Sequence, residues 1–182
     1  MNLIPFEKTP FKIEIFPALT QSKNGFRVNF RLSGEFEKIQ PPLSKSATWP
    51  LKRKNELWKS TCFEFFLRPI DNSKSTFYFE FNLSPFGEWS VYEFTNLREG
   101  MKDSSIFKCE QFSTQHISPK RWELQADFTP NLNNFLPLQL GFASIIEWKL
   151  QKQDQKFSYF SLSHTESKPN FHIFESWIEH IK

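Results

Sequence analysis

Cys62-Phe63-Glu64-Phe65-Phe66-Leu67-Arg68 and Phe77-Tyr78-Phe79-Glu80-Phe81-Asn82-Leu83 decide the fold. In the second stretch Phe77, Phe79, Phe81 and Leu83 alternate with Tyr78, Glu80 and Asn82. A period of two marks a strand whose side chains point to opposite faces in turn. In the first stretch Phe63, Phe65 and Leu67 share one face, and Cys62, Glu64 and Phe66 share the other. If the two strands pair antiparallel through a turn at Asp71-Asn72-Ser73, Glu64 comes close to Glu80 or Asn82 across the sheet.

The same rhythm extends outward in both directions. Phe11, Ile13 and Ile15 alternate with Lys12 and Glu14. Phe26, Val28, Phe30 and Leu32 alternate with Arg27, Asn29 and Arg31, after a hairpin turn at Lys23-Asn24-Gly25. Trp122, Leu124, Ala126 and Phe128 alternate with Glu123, Gln125 and Asp127. Further strands are expected over Trp89 to Phe94, Leu140 to Trp148 and Phe157 to Ser163. Ser84-Pro85-Phe86-Gly87 and the polar run Lys152 to Lys156 serve as connections. The stretch from Glu35 to Asn55, with Pro41, Pro42 and Pro50, reads as one long loop. Glu175 to Lys182 reads as a helical turn or a last strand. Many short strands without a long helical pattern predict an all-β antiparallel sandwich, one domain over residues 1–182.

Composition narrows the function classes. The chain has 182 residues, 23 of them Phe, so a few aromatic faces supply the core despite a hydrophobic content of 38%. The net charge is +3, and the one basic cluster, Lys52-Arg53-Lys54, is no nucleic-acid footprint. No apolar run approaches the ~18 residues of a membrane helix, and the first residues form no secretory signal. Two distant cysteines, Cys62 and Cys109, make no disulfide framework. The expected setting is the cytoplasm, with reduced thiols.

The polar face of the central strands holds the expected site. Glu64, Glu80 and Asn82 offer planar acceptors and donors for hydroxyl groups. Trp89, Tyr92 and Arg98 follow nearby in sequence, and Trp and Tyr rings suit the apolar face of a pyranose. The same alternation also fits the wet face of an ordinary antiparallel sheet. Trp58 reads equally as a sandwich-edge core residue. Arg98 reads equally as a surface ion pair, and Glu147 as a structural partner of Arg98 or His164. His164 and His172 have no recognised metal spacing, so no metal site is expected.

Beyond alternation, Leu57-Trp58-Lys59-Ser60-Thr61-Cys62-Phe63-Glu64-Phe65-Phe66-Leu67 opens a series of family-like segments. It continues with Tyr78-Phe79-Glu80-Phe81-Asn82-Leu83-Ser84-Pro85-Phe86-Gly87-Glu88-Trp89 and Leu97-Arg98-Glu99-Gly100-Met101. It closes with Ala143-Ser144-Ile145-Ile146-Glu147, Ser158-Tyr159-Phe160-Ser161-Leu162-Ser163-His164 and Lys168-Pro169-Asn170-Phe171-His172. The series resembles bacterial DOMON-like proteins, which are similar to the family 9 carbohydrate-binding modules. The resemblance implies a jelly-roll sandwich whose curved sheet binds a saccharide between tryptophans, without catalysis and without a cofactor. Trp58, Glu64, Tyr78, Glu80, Asn82, Trp89, Tyr92, Arg98, Glu147 and His164 are the expected ligand-binding set. Two alternatives stand beside this reading: a haem site, which the resemblance also implies, with Met101 and His164 as axial pair, and a protein-interaction module using an exposed sheet edge or the aromatic loop from Trp49 to Trp58. Glu64 and Glu80 would serve a glycosidase only at a suitable separation, and a resemblance to binding modules argues against that activity.

Overall fold

The computed structural model describes residues 1–43, 46–70, 76–150, 157–177 and 179–181. The expected Asp71–Ser73 turn and Lys152–Lys156 connection lie outside the described residues. In chain order the strands are β1 (Ile4–Pro5), β2 (Ile13–Gln21), β3 (Phe26–Gly34), β4 (Ile39–Gln40), β5 (Ala47–Thr48), β6 (Lys52–Arg53), β7 (Cys62–Pro69) and β8 (Tyr78–Leu83). They continue with β9 (Glu88–Phe94), β10 (Lys102–Asp103), β11 (Lys108–Ser118), β12 (Arg121–Thr129), β13 (Leu138–Trp148), β14 (Phe157–Ser161) and β15 (Glu179–Ile181).

Two sheets face each other. The larger runs β1-β14-β13-β7-β8-β9-β10, with β4 and β15 also on β13 and β6 on β9; the smaller runs β2-β3-β12-β11-β5. All pairings are antiparallel except the short β6–β9 pair. No helix among the described residues is long and apolar enough to cross a membrane.

The alternating runs supply the space between the sheets. Phe26, Val28, Phe30 and Leu32 from β3 and Trp122, Leu124, Ala126 and Phe128 from β12 meet Phe63, Phe65 and Leu67 from β7 and Phe79, Phe81 and Leu83 from β8. Phe65 lies at its centre, stacked on Phe81 at 4.1 Å between centroids and edge-on to Phe26 and Phe128. Aromatic pairs in these geometries add to the burial term.

Sequence and structure differ in two places. Strand β11 has no alternation to announce it, because a register shift between Cys109 and Gln111 breaks the period. The stretch from Glu35 to Asn55 is not one loop: among its described residues it contributes a 3-10 turn and the short strands β4, β5 and β6. Near the end, a 3-10 turn at Phe174–Ser176 and strand β15 both form, so helical turn and strand coexist there.

The outer face of the larger sheet is covered rather than wet. Strands β7, β8 and β9 are buried almost throughout. A second cluster, including Cys62, Phe66, Tyr78, Tyr92, Phe94, Ile145, Phe171 and Trp177, seals this face. Gly141 lets the cover come close: a Cβ there would overlap the Trp177 indole. That ring stacks on Phe66 at 5.1 Å.

Phe65→Ala should cost about 3–5 kcal/mol in urea unfolding, the range for deleting a buried aromatic ring. A loss below about 1 kcal/mol would contradict a close-packed centre.

Candidate functional site

The register of the central strands builds the floor. Glu64 on β7 is opposite Asn82 on β8, and Phe66 is opposite Glu80. Asn82 in turn faces Ser90, and Glu80 faces Tyr92. Glu64 and Glu80 are therefore diagonal neighbours on one face, as the alternation predicts. Both are almost sealed, at 3% and 5% exposure. The Asn82 amide donates from Nδ2 to Glu80 Oε1 at 2.6 Å, and the Cys62 thiol donates to Asn82 Oδ1 at 3.4 Å.

Two tight turns raise the walls. Thr95 and Glu99 close a turn through Thr95 N–H to the Glu99 carbonyl at 3.1 Å, with the Asn96 side chain capping Leu97 N–H. Arg98 sits in this turn at φ 58°, a region that non-glycine residues rarely adopt. The other turn is the 3-10 segment Leu57–Lys59, entered through Glu56 at φ 60°. It presents Trp58 edge-on to Tyr92 at 5.7 Å, while the Tyr92 hydroxyl holds Asn55 Oδ1 and the Glu56 N–H. Two left-handed residues thus flank one hollow.

The roof comes from residues 169–172, pinned by side chains. Asn170 Oδ1 accepts from Arg98 Nη2 at 2.9 Å and from His172 N–H at 3.1 Å. Trp177 Nε1 donates to the Phe171 carbonyl, and Gln139 Nε2 donates to the carbonyls of Phe174 and Trp177. Floor, walls and roof enclose a pocket of about 340 Å³ lined by Trp58, Glu64, Glu80, Phe94, Arg98, Met101, Ile145, Tyr159, Pro169, Phe171 and His172. A hollow of about 420 Å³ lies across the Leu57–Lys59 turn. Its charged residues pair with one another, Lys54 with Glu88 at 2.9 Å and Lys59 with Glu56 at 2.6 Å. The smaller pocket holds the chemistry.

A polar chain runs through the pocket wall. The Arg98 backbone N–H donates to the Tyr78 hydroxyl at 3.2 Å, and that hydroxyl lies 2.6 Å from His172 Nδ1. Donation from Tyr78 to Nδ1 satisfies both groups and leaves the imidazole proton on Nε2. Nε2 is 3.4 Å from Glu80 Oε2. Burial sets the protonation states. It pushes Glu80 from 4.5 up to about 7, against the pull of Asn82 and Arg98. Burial and the neighbouring Glu80 charge raise Glu64 well above the usual carboxyl range. Burial, aided by Arg98, holds His172 down at about 4, and burial raises the Tyr78 hydroxyl.

Of the expected set, Trp58, Glu64, Glu80 and Arg98 line the pocket, while Tyr78, Asn82 and Tyr92 support them from behind. Trp89 does not belong: it faces the space between the sheets, against Phe128 at 6.1 Å, because it aligns with Leu83. Glu147 is on the outer face but takes the Ser60 hydroxyl at 2.8 Å rather than Arg98 or His164. His164 lies outside the lining and donates from Nε2 to the Ile4 carbonyl at 2.8 Å. Met101 lines the pocket and His164 does not, so the two residues of the alternative haem reading do not share it. Phe94, Ile145, Tyr159, Pro169, Phe171 and His172 are lining residues that the sequence reading did not assign. Among the described residues no three His, Cys, Asp or Glu side chains form a metal-holding group. The fold and site define a β-sandwich with a roofed pocket on the outer face of one sheet. No family model, curated protein or solved structure matches the chain.

The raised Glu80 fixes a pH dependence. The folded state holds this proton more tightly than the unfolded chain, so its contribution is full below about 4.5 and lost as pH rises through about 7. Glu80→Gln should therefore gain stability relative to the parent as thermal melts move from about pH 5 to about pH 8. A constant difference would refute the buried, protonated carboxyl. His172 runs the other way: its contribution is present above 6.5 and lost as pH falls through about 4. Its imidazole NMR signals should remain those of the neutral ring at pH ~5.

Proposed function

We propose that the protein binds a small saccharide or sugar derivative, without transforming it, in the pocket between Trp58 and the roof over residues 169–172. One observation carries the reading: paired polar groups, Glu64 and Glu80, lie at the base of a pocket whose lining is otherwise mostly aromatic or apolar. That is the division of labour a sugar asks for, with directed hydrogen bonds to hydroxyls and ring surface for the C–H faces. Arg98 adds N–H donors at the rim, and His172 Nε2 adds one inside.

The resemblance to DOMON-like proteins and family 9 carbohydrate-binding modules supports the same reading. Under it the sandwich is a jelly roll of that kind, with the ligand on the polar sheet face. A cytoplasmic setting, in which buried Cys62 and Cys109 stay as free thiols, belongs to this proposal. The pocket volume suits one or two sugar rings rather than a polymer lying along a groove.

A thermal-shift screen against mono- and disaccharides and sugar phosphates provides the test, because a ligand that binds only the folded state raises its melting temperature. At least one saccharide should raise it. Trp58→Ala and Arg98→Ala should each weaken that ligand about tenfold or more, with the far-ultraviolet circular dichroism of the parent. No shift with any sugar, or full affinity in both variants, would reject the site.

A further inference from the structure

The charges around the pocket do not balance. Glu64 and Glu80 bring two carboxyl groups, and Arg98 is the cation among the lining residues. His172 is held neutral. The other titratable groups near the pair are Cys62, Tyr78 and Tyr92, each with its ionisation suppressed by burial, together with the Tyr159 hydroxyl on the lining. With both carboxyls ionised the pocket is one positive charge short. Arg98 is exposed and committed through Nη2 to Asn170, so solvent screens it.

The two carboxyls are unequally served. Glu80 receives the Asn82 amide and faces His172 Nε2. For Glu64, among the described residues, the neighbouring donor is the Cys62 thiol, a weak one whose single proton is already directed at Asn82 Oδ1. Glu64 is almost fully buried and still reaches the pocket. An ionised carboxylate in such a place needs a partner. The rings of Trp58, Phe94, Tyr159 and Phe171 line the same pocket. Aromatic rings grouped with carboxylates are the surroundings in which an ammonium group is held.

Resting on the saccharide reading, we propose that the ligand is an amino sugar whose protonated amine sits between Glu64 and Glu80 within the ring of Trp58, Phe94, Tyr159 and Phe171. A proton fills the charge deficit in the empty pocket, in keeping with the raised carboxyls. When the ammonium enters, that proton leaves to solvent and the carboxylates accept the three N–H donors of the amine. A hydroxyl in place of the amine brings no charge, so the proton stays.

Calorimetric titration at pH ~6.5, where the sugar amine is already protonated in solution, tests this with matched pairs: glucosamine against glucose, galactosamine against galactose, mannosamine against mannose. In at least one pair the amino sugar should bind about tenfold tighter or more. Its apparent heat should change between buffers of different ionisation enthalpy, reporting proton release. Glu64→Gln should bring the ratio within the pair close to one. The parent ratio decides alone if that variant does not fold. Equal affinities, or a neutral sugar preferred in every pair, would overturn the amino-sugar assignment and leave saccharide binding standing. Silence from all six sugars would overturn the assignment and count against the saccharide reading as well.

Discussion

Strands β7 and β8 have no wet face. Their inward side chains meet the opposite sheet, and their outward ones are covered by Trp58, residues 169–172 and Trp177. An antiparallel sheet ordinarily leaves one side to solvent, and polar residues are placed there at little cost. Here the polar residues of the outward side are roofed. Everything distinctive about the pocket follows: carboxyls whose hold on a proton is strengthened by burial, an imidazole that resists one, and an amide tied up between a thiol and a carboxyl.

That covering has to be fastened, and the fastenings are small and local. Gly141 removes the side chain that would block Trp177. Gln139 reaches from β13 to the carbonyls of Phe174 and Trp177, just beyond the roof. Asn170 ties the roof to Arg98, whose own backbone is strained into the left-handed region. Strain of this kind persists only where neighbours over-determine it. At Arg98 the neighbours are the Thr95–Glu99 turn and the Tyr78 hydroxyl, the latter already part of the pocket wall.

Much of this was legible in the sequence because side-chain period is fixed by strand geometry. The alternation of Tyr78, Glu80 and Asn82 placed three side chains on one face, and the antiparallel pairing brought Glu64 beside them. The same rule also argues against Trp89: it is three residues from Tyr92 and so points to the opposite face. Nearness in sequence outweighed phase there. Tyr159, Phe171 and His172 could not be reached by the same route. Their place depends on which strand neighbours β13 and on how a segment without regular structure folds back, and neither is written in a local period. Strand β11 escaped for another reason, since a bulge shifts its period midway.

The order of the parts along the chain has a consequence for how the pocket is made. A ribosome delivers Glu64 and Glu80 on β7 and β8 well before β13, and β13 before the roof at residues 169–172. Domains begin to organise as they emerge. The carboxyls thus remain hydrated while the sheet assembles, and dehydrating them is deferred until a framework exists that can hold their protons. Nascent chains paused before the roof would carry an open acidic basin, and adding residues 169–172 would turn it into a roofed pocket.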